Sequence, residues 1–362
     1  MLTFEGSSLF RHHIVCSILT SKPIRILGIH DDDEPQGIQL AEANFLKFID
    51  RVTSGSKFEC TDSNTALTFY PGMILGGTFS HEVPSCRCVT YIAEAALLLL
   101  PFAKFDTRLT LVGSTQSEED LSVDTLRTVT TRWLQLFGVD CSVRIIRRGV
   151  YPGGGGAIEV QCKAVRRLTA AEAVVRGRVR RIRGISFGAR VAADLVQRAA
   201  TAAKGVLLNL LPDVYVVTDM DNSKGSYGDR SSGYGVVLVA ETTSKQCVIS
   251  QESTAAPKEL PEDVGKRAAE LLLDQVFECG CVDAHHQMLV LLLMGLSPDE
   301  VSTVRFGQFT CGLVSAVMLL EMYFGVSCAT KQEWSSVGKD LPPTTLITCV
   351  GSNMVNVWKK SG

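Results

Sequence analysis

The order in which apolar periodicities follow one another constrains this chain more than any single motif. One stretch runs strand Leu2–Phe4, helical segment Leu9–Leu19, strand Ile24–Ile29 and helix Leu40–Val52, with Phe45, Phe48, Ile49 and Val52 at helical spacing; short strands at Lys57–Cys60 and Ala66–Tyr70 close it. A second repeats that order: Thr78–Ser80, Cys86–Leu100, Arg108–Val112, Val123–Phe137, Ser142–Arg147 and Ala157–Cys162, with Gly138 where a helix should stop. A third follows near the C-terminus: helix Asp283–Met294, strand Val301–Arg305, helix Cys311–Phe324 ended by Gly325, then strands Val326–Thr330 and Thr345–Val350. Its opening strand is not legible. Three βαβαββ units imply an α/β (α+β) body in which helices cover one face of each sheet.

Between the second and third units lies a stretch of different character. It reads as strand Ile185–Val191, an Ala-rich helix Ala193–Leu210, strand Val214–Thr218 and a turn-rich loop Asp219–Ser232. Strand Gly235–Glu241, a polar stretch Gln251–Lys258 and a helix opened by Leu260-Pro261-Glu262-Asp263 follow. The expected organisation is therefore a large domain from 1–184 and 281–362, interrupted by a smaller α/β domain at 185–280. The 362 residues suit two such bodies.

Composition excludes little. The net charge is −2, so no global attraction to nucleic acid is expected. The longest apolar run, Ile92–Pro101, contains Glu94 and is far shorter than the ~20 residues of a membrane helix, so no membrane association is expected. No secretory signal is legible, and the twelve cysteines are scattered, mostly in apolar runs; a reducing compartment is expected.

Charge is concentrated locally. Between Arg144 and Arg190 stand twelve Lys/Arg against two acids, Glu159 and Glu172. Arg147 and Arg148 stand near the start of this run, and Arg176, Arg178, Arg180, Arg181 and Arg183 crowd its second half. Guanidinium groups suit phosphate, so the cluster is a candidate contact for RNA or a partner; pairing with acids from elsewhere in the fold is the alternative. Pro152, Gly153, Gly154, Gly155 and Gly156 could cradle a phosphate with backbone N–H groups, or mark a crossing of closely packed backbones. No Lys-Ser/Thr follows, so this is not a nucleotide P-loop. Cys279, Cys281, His285 and His286 lack zinc-finger spacing, and Asp31–Glu34 reads as a solvated turn before Pro35; no metal or cofactor is expected.

The segment Arg148-Gly149-Val150-Tyr151-Pro152-Gly153-Gly154-Gly155-Gly156-Ala157-Ile158 resembles the signature of the RNA 3′-terminal phosphate cyclase family. The opening Phe4-Glu5-Gly6-Ser7-Ser8-Leu9-Phe10-Arg11 is similar to the family's first turn, with two serines breaking the usual glycine run. The segments Arg180–Gly184, Ala240–Ser244, Leu260–Asp263, Gly280–Asp283 and Leu291–Met294 resemble the cyclase-like, non-cyclising branch. The resemblance implies three βαβαββ units with an inserted α/β domain.

That resemblance also implies what is missing. True cyclases attach AMP to a histidine just ahead of the last helix, and covalent catalysis needs that imidazole nitrogen. The six histidines here are His12, His13, His30, His81, His285 and His286; the matching stretch Phe309–Ser315 offers Cys311 and hydroxyls. No cyclase activity is expected. A pre-ribosomal RNA endonuclease, proposed for the branch on a basic-acidic-basic cluster in the last helix, meets only Val317-Met318-Leu319-Leu320-Glu321-Met322-Tyr323. The resemblance implies a nucleolar factor for 18S pre-rRNA processing, with a ribosome-assembly GTPase and the small-subunit pre-ribosome, including its small nucleolar RNP, as partners.

Overall fold

The computed structural model describes residues 1–221, 231–244, 246–334 and 341–359. Its first unit comprises β1 (Leu2–Glu5), α1 (Phe10–Thr20), β2 (Ile24–Leu27), α2 (Leu40–Val52), β3 (Thr53–Ser54), β4 (Lys57–Cys60) and β5 (Leu67–Tyr70). These build a sheet of order β1-β2-β5-β4, while β3 pairs with β6 (Met73–Ile74) in a small ladder. The second unit has β7 (Gly77–Glu82), α3 (Thr90–Leu99) and β8 (Thr107–Gly113). A continuous helical run follows: α4 (Val123–Thr125), a π turn at Leu126–Thr130 and α5 (Thr131–Leu136). Strands β9 (Cys141–Arg147) and β10 (Gly156–Cys162) complete the order β7-β8-β10-β9.

The opening strand that the sequence hid in the third unit is β11 (Glu172–Ala173), two residues long. It pairs in parallel with β16 (Val301–Phe306), which lies far along the chain. A two-residue strand is too short for hydrophobic alternation to register, and only its distant partner reveals it. A parallel pair requires a crossover connection. Here that crossover contains the whole fourth sheet: β12 (Val179–Ala189), α6 (Ala193–Leu208), β13 (Val214–Asp221), β14 (Gly233–Thr242), β15 (Val248–Thr254) and α7 (Pro261–Phe277), ordered β13-β12-β14-β15. The third unit then resumes with α8 (Gln287–Leu296), β16, α9 (Cys311–Leu319), a π turn at Leu320–Phe324, β17 (Cys328–Glu333) and β18 (Thr344–Val350). Its order, β11-β16-β18-β17, matches the other two. In all three sheets the first pair is parallel and the others antiparallel.

Several sequence expectations need correction. The fourth sheet opens at Val179, which pairs with Thr242, rather than at 185; Arg180, Arg181 and Arg183 therefore belong to the inserted sheet. The polar stretch beginning at Gln251 is the second half of strand β15. Its alternating polar side chains suggest solvation, but they meet buried donors of the second unit. Helix α8 starts at Gln287 instead of Asp283, because the Asp283 carboxylate accepts the backbone N–H of His286 (3.1 Å) and holds a turn there. Of the loop expected at Asp219–Ser232, residues 219–221 continue β13, and 222–230 lie outside the described residues.

The core follows the helices that face inward. Every residue of α3 except Glu94 is buried, and α8 is nearly as enclosed. No helix among the described residues is long and apolar enough to cross a membrane. Units one and three are stitched together where His13 Nδ1 meets the Tyr323 hydroxyl at 3.1 Å, with the Phe4 ring stacked on His13 at 3.8 Å.

Candidate partner and RNA interface

The Arg147–Gly156 segment connects β9 to β10 and runs against the fourth sheet. Arg148 is buried, and its guanidinium forks onto Asp124 (Nη1–Oδ2 2.6 Å, Nη2–Oδ1 3.0 Å) and reaches Asp219 (2.7 Å). Its backbone N–H donates to the Asp221 carboxylate at 2.7 Å, and its guanidinium lies over the Phe187 ring. A charge satisfied this fully is structural: it locks the second unit to β13.

The glycines explain themselves by backbone proximity. A Cβ on Gly149 would lie 2.3 Å from Gly154 O and from Gly156 N; one on Gly156 would meet Gly113 O at 2.8 Å. Gly154 and Gly155 take left-handed φ of 61° and 76°. The N–H of Gly153 donates to Ser231 Oγ (2.7 Å), and that of Gly154 to Val150 O (3.0 Å). Those two N–H groups are thus engaged within the chain, which favours the backbone crossing over a phosphate cradle. Pro152 stays exposed at the rim of a cavity.

The arginine run divides into paired and outward groups. Arg147 Nε donates to Gly155 O, and Arg176 donates to Val276 O. Arg181 (2.6 Å) and Arg132 (3.1 Å) share the Glu241 carboxylate. Burial alone would raise that carboxyl's pKa, but the two guanidinium groups outweigh it and hold it below its ordinary value. Arg183 binds Asp213 at 2.8 Å, and that hydrogen bond holds Asp213 low as well. Arg178 and Arg180 are exposed and form no side-chain ion pair among the described residues. Among the described residues, only these two of the seven arginines combine exposure with the absence of a side-chain partner.

A cavity of about 300 Å³ lies among α1, α3, α8 and α9, lined by Arg11, Glu94, Thr130, His285, His286 and Thr310. Sequence reasoning did not bring these residues together, although Arg11 already stood in the opening motif. His286 is buried, its Nδ1 2.5 Å from Asp283 Oδ1 and its Nε2 2.8 Å from Thr130 Oγ1. Asp283 also accepts from Ser250 N–H (2.9 Å) and Oγ (2.7 Å). Burial pulls the His286 pKa down, but the Asp283 carboxylate overrides it and the net shift is upward. With both ring nitrogens bonded, His286 holds no free lone pair for attack on phosphorus. His285 is exposed at the mouth, 3.3 Å from Gln251 Oε1.

At the start of α9, Thr310 caps the helix by accepting from Leu313 N–H at 3.2 Å, and Cys311 is exposed beside it. The outer face of that helix presents Val314, Met318 and Met322, with Glu321 its one carboxylate. No general acid–base pair can be assembled on it.

The family model for RNA 3′-terminal phosphate cyclase matches residues 2–330, from β1 into β17. The chain belongs to the RNA 3′-terminal phosphate cyclase family. It is 38% identical to a probable RNA 3′-terminal phosphate cyclase-like protein of Dictyostelium discoideum, with 100% of both chains covered. The human RNA 3′-terminal phosphate cyclase-like protein is 34% identical, covering 99% of this chain and 97% of that one. The rRNA processing protein rcl1 of Schizosaccharomyces pombe is also 34% identical, over the same shares. Within this cyclase family, the place at the head of α9 where the resemblance puts a nucleophilic histidine holds Phe309, Thr310 and Cys311 here.

Proposed function

We propose that this protein is a non-cyclising factor of ribosome biogenesis. It acts in 18S pre-rRNA processing within a nucleolar small-subunit pre-ribosome and its small nucleolar RNP, and it binds a ribosome-assembly GTPase and pre-ribosomal RNA. One observation carries the non-cyclising half: the head of α9 presents Thr310 and Cys311, and the buried imidazole of His286, on the same cavity as Thr310, is committed at both nitrogens. The rRNA-processing half is supported by the name of the fission-yeast relative and by full-length similarity to it. Arg178 and Arg180 are the residues offered to RNA.

Two assays test the reading. Incubation with labelled ATP should leave no protein-bound AMP; a covalent label on His285 or His286 refutes it. Affinity purification from nucleolar extract should recover small-subunit precursors and an assembly GTPase; recovery of neither refutes it too. Cleavage of a precursor RNA spanning the early sites by the purified chain would establish the endonuclease instead.

A further inference from the structure

Units two and three carry cysteines at the same place in their sheets. Cys141, the first residue of β9, stands directly opposite Cys162 at the end of β10. Cys328, the first residue of β17, stands directly opposite Cys349 of β18. In unit one that place holds Lys57 and Tyr70. Residues directly opposite in an antiparallel ladder project to the same face, with Cα atoms about 4.5–5.5 Å apart, inside the ~4.4–6.8 Å that a disulfide spans. All four cysteines are free thiols here.

The two pairs differ in what reaches them. Cys141 and Cys162 are 4% and 2% exposed, and burial pushes the Cys141 thiol up to about 12 and raises Cys162 as well. Both stay protonated at neutral pH, and a protonated thiol is a poor nucleophile. Cys328 is partly exposed on an edge strand that pairs only with β18 among the described residues. Cys349 is buried and donates its S–H to the Cys328 sulfur. That hydrogen bond holds the Cys328 thiol below its ordinary value, against burial, and it raises Cys349. Cys281 is also held low, by Cys247, but those two are 0% and 1% exposed and lie out of reach of an oxidant. Cys60 is exposed opposite Leu67, and the exposed Cys86 and Cys311 lie on no strand. Among the described residues, an accessible activated thiol with a second thiol directly across from it occurs at Cys328 and Cys349 alone.

We propose that Cys328 and Cys349 are a modification site, oxidised by a hydroperoxide to an intrachain disulfide that clasps the edge of the third sheet and reopened by a dithiol. The Cys328 thiolate attacks one peroxide oxygen. An S–O bond forms, the O–O bond breaks, and the leaving hydroxide takes up the proton that the thiol released. The Cys349 sulfur then attacks the sulfenic sulfur. An S–S bond forms, the S–O bond breaks, and hydroxide leaves as water with the Cys349 proton. The two cysteines lose two electrons and the peroxide gains them. A dithiol returns both electrons and both protons through a mixed disulfide. In a reducing compartment such a bond is transient, which suits a sensor rather than a permanent staple. This site stands independently of the ribosome-biogenesis reading.

The test titrates the full, reduced chain with hydrogen peroxide, unfolds it, alkylates it with N-ethylmaleimide and maps its peptides by mass spectrometry. The first loss should take the alkylatable thiols from twelve to ten. Cys328 and Cys349 should appear in one linked peptide pair, two hydrogens lighter than the reduced pair, and dithiothreitol should restore all twelve. Cys141 and Cys162 should stay reduced. Cys349→Ser should lose the link and leave a dimedone-reactive sulfenic acid on Cys328, whereas Cys328→Ser should leave Cys349 unoxidised. In the oxidised parent, hydrogen exchange should slow in β17 and stay unchanged in the other sheets. The assignment is overturned by a Cys141–Cys162 link that forms first, or by crosslinks between chains through Cys60, Cys86 or Cys311 while Cys328 and Cys349 remain alkylatable. A Cys328 thiol that resists peroxide overturns it as well.

Discussion

Arg148 and Asp124 form a bidentate pair with both side chains almost wholly out of solvent, Nη1–Oδ2 at 2.6 Å and Nη2–Oδ1 at 3.0 Å. The arginine comes from the end of β9, the aspartate from the first turn of the helical run that follows β8, and Asp219 of β13 closes on the same guanidinium. One signature residue therefore joins a strand end and a helix of the second unit to a strand of the inserted sheet.

Removing one partner strands a buried charge. Arg148→Ala should destabilise the protein by about 3–5 kcal/mol. Chemical denaturation checks this. Arg148→Met combined with Asp124→Leu should recover part of the loss, since no lone charge remains buried. A single variant as stable as the parent would show that the pair does not hold the sheets together.

Arg178 and Arg180 should behave in the opposite way. Reversal of both to glutamate removes no ion pair, so stability should stay within about 0.5 kcal/mol. Affinity for a pre-rRNA fragment should fall, and the salt slope of log K should shrink by about one for each phosphate that is no longer neutralised. Filter binding across a salt series reads both. Arg183→Ala loses its surface pair with Asp213 and should cost about 0–1 kcal/mol.

Acid should weaken the fold through three imidazoles, of which His12 is lowered furthest, to about 3, by burial and then by Arg11 and His13. Burial lowers His13 and His81 from their ordinary 6.5 to about 4, with Arg51 and Lys47 adding to the effect at His81. Between those values the unfolded chain binds protons that the folded chain refuses, so stability falls as pH drops from 7 towards 4. His286 works against this: its raised value gives stability present in acid and lost at higher pH. The urea midpoint should decline from pH 7 to 5, and the decline should be shallower in His81→Gln. An unchanged slope in that variant would remove His81 from the account.

Glu252 of β15 receives the N–H of Ser122 (2.8 Å) and the hydroxyls of Ser122 and Thr125 (2.5 Å for Thr125), at the start of α4. It serves as a helix cap supplied by another sheet. Glu252→Ala should cost about 1.5–3 kcal/mol, as for hydrogen bonds to a charged group. Hydrogen exchange should quicken first in the helical run starting at Val123. Uniform exchange change across the chain would argue against a local cap.

How much of this is legible in sequence depends on the range of the forces involved. The helices α1, α2, α3 and α9 and most of the unit strands show themselves by local periodicity, as does the three-fold order. The glycines of 153–156 stand out because a signature in sequence is a constraint on backbone. What stays hidden requires a distant partner. Strand β11 is two residues long and exists through β16, and the second half of β15 reads only as a polar stretch from Gln251 until Glu252 finds its donors in the second unit.

The sequence by itself determined the repeated architecture and the lack of a histidine at the head of the last helix, because periodicity and residue identity are properties of the chain alone. Tertiary structure decided which arginines are free, since Glu241, Asp213 and Asp124 reach Arg181, Arg183 and Arg148 only after the sheets assemble. Charge neutralisation and burial are set by neighbours far apart in sequence, so composition could reveal the basic run but not what it has left to offer.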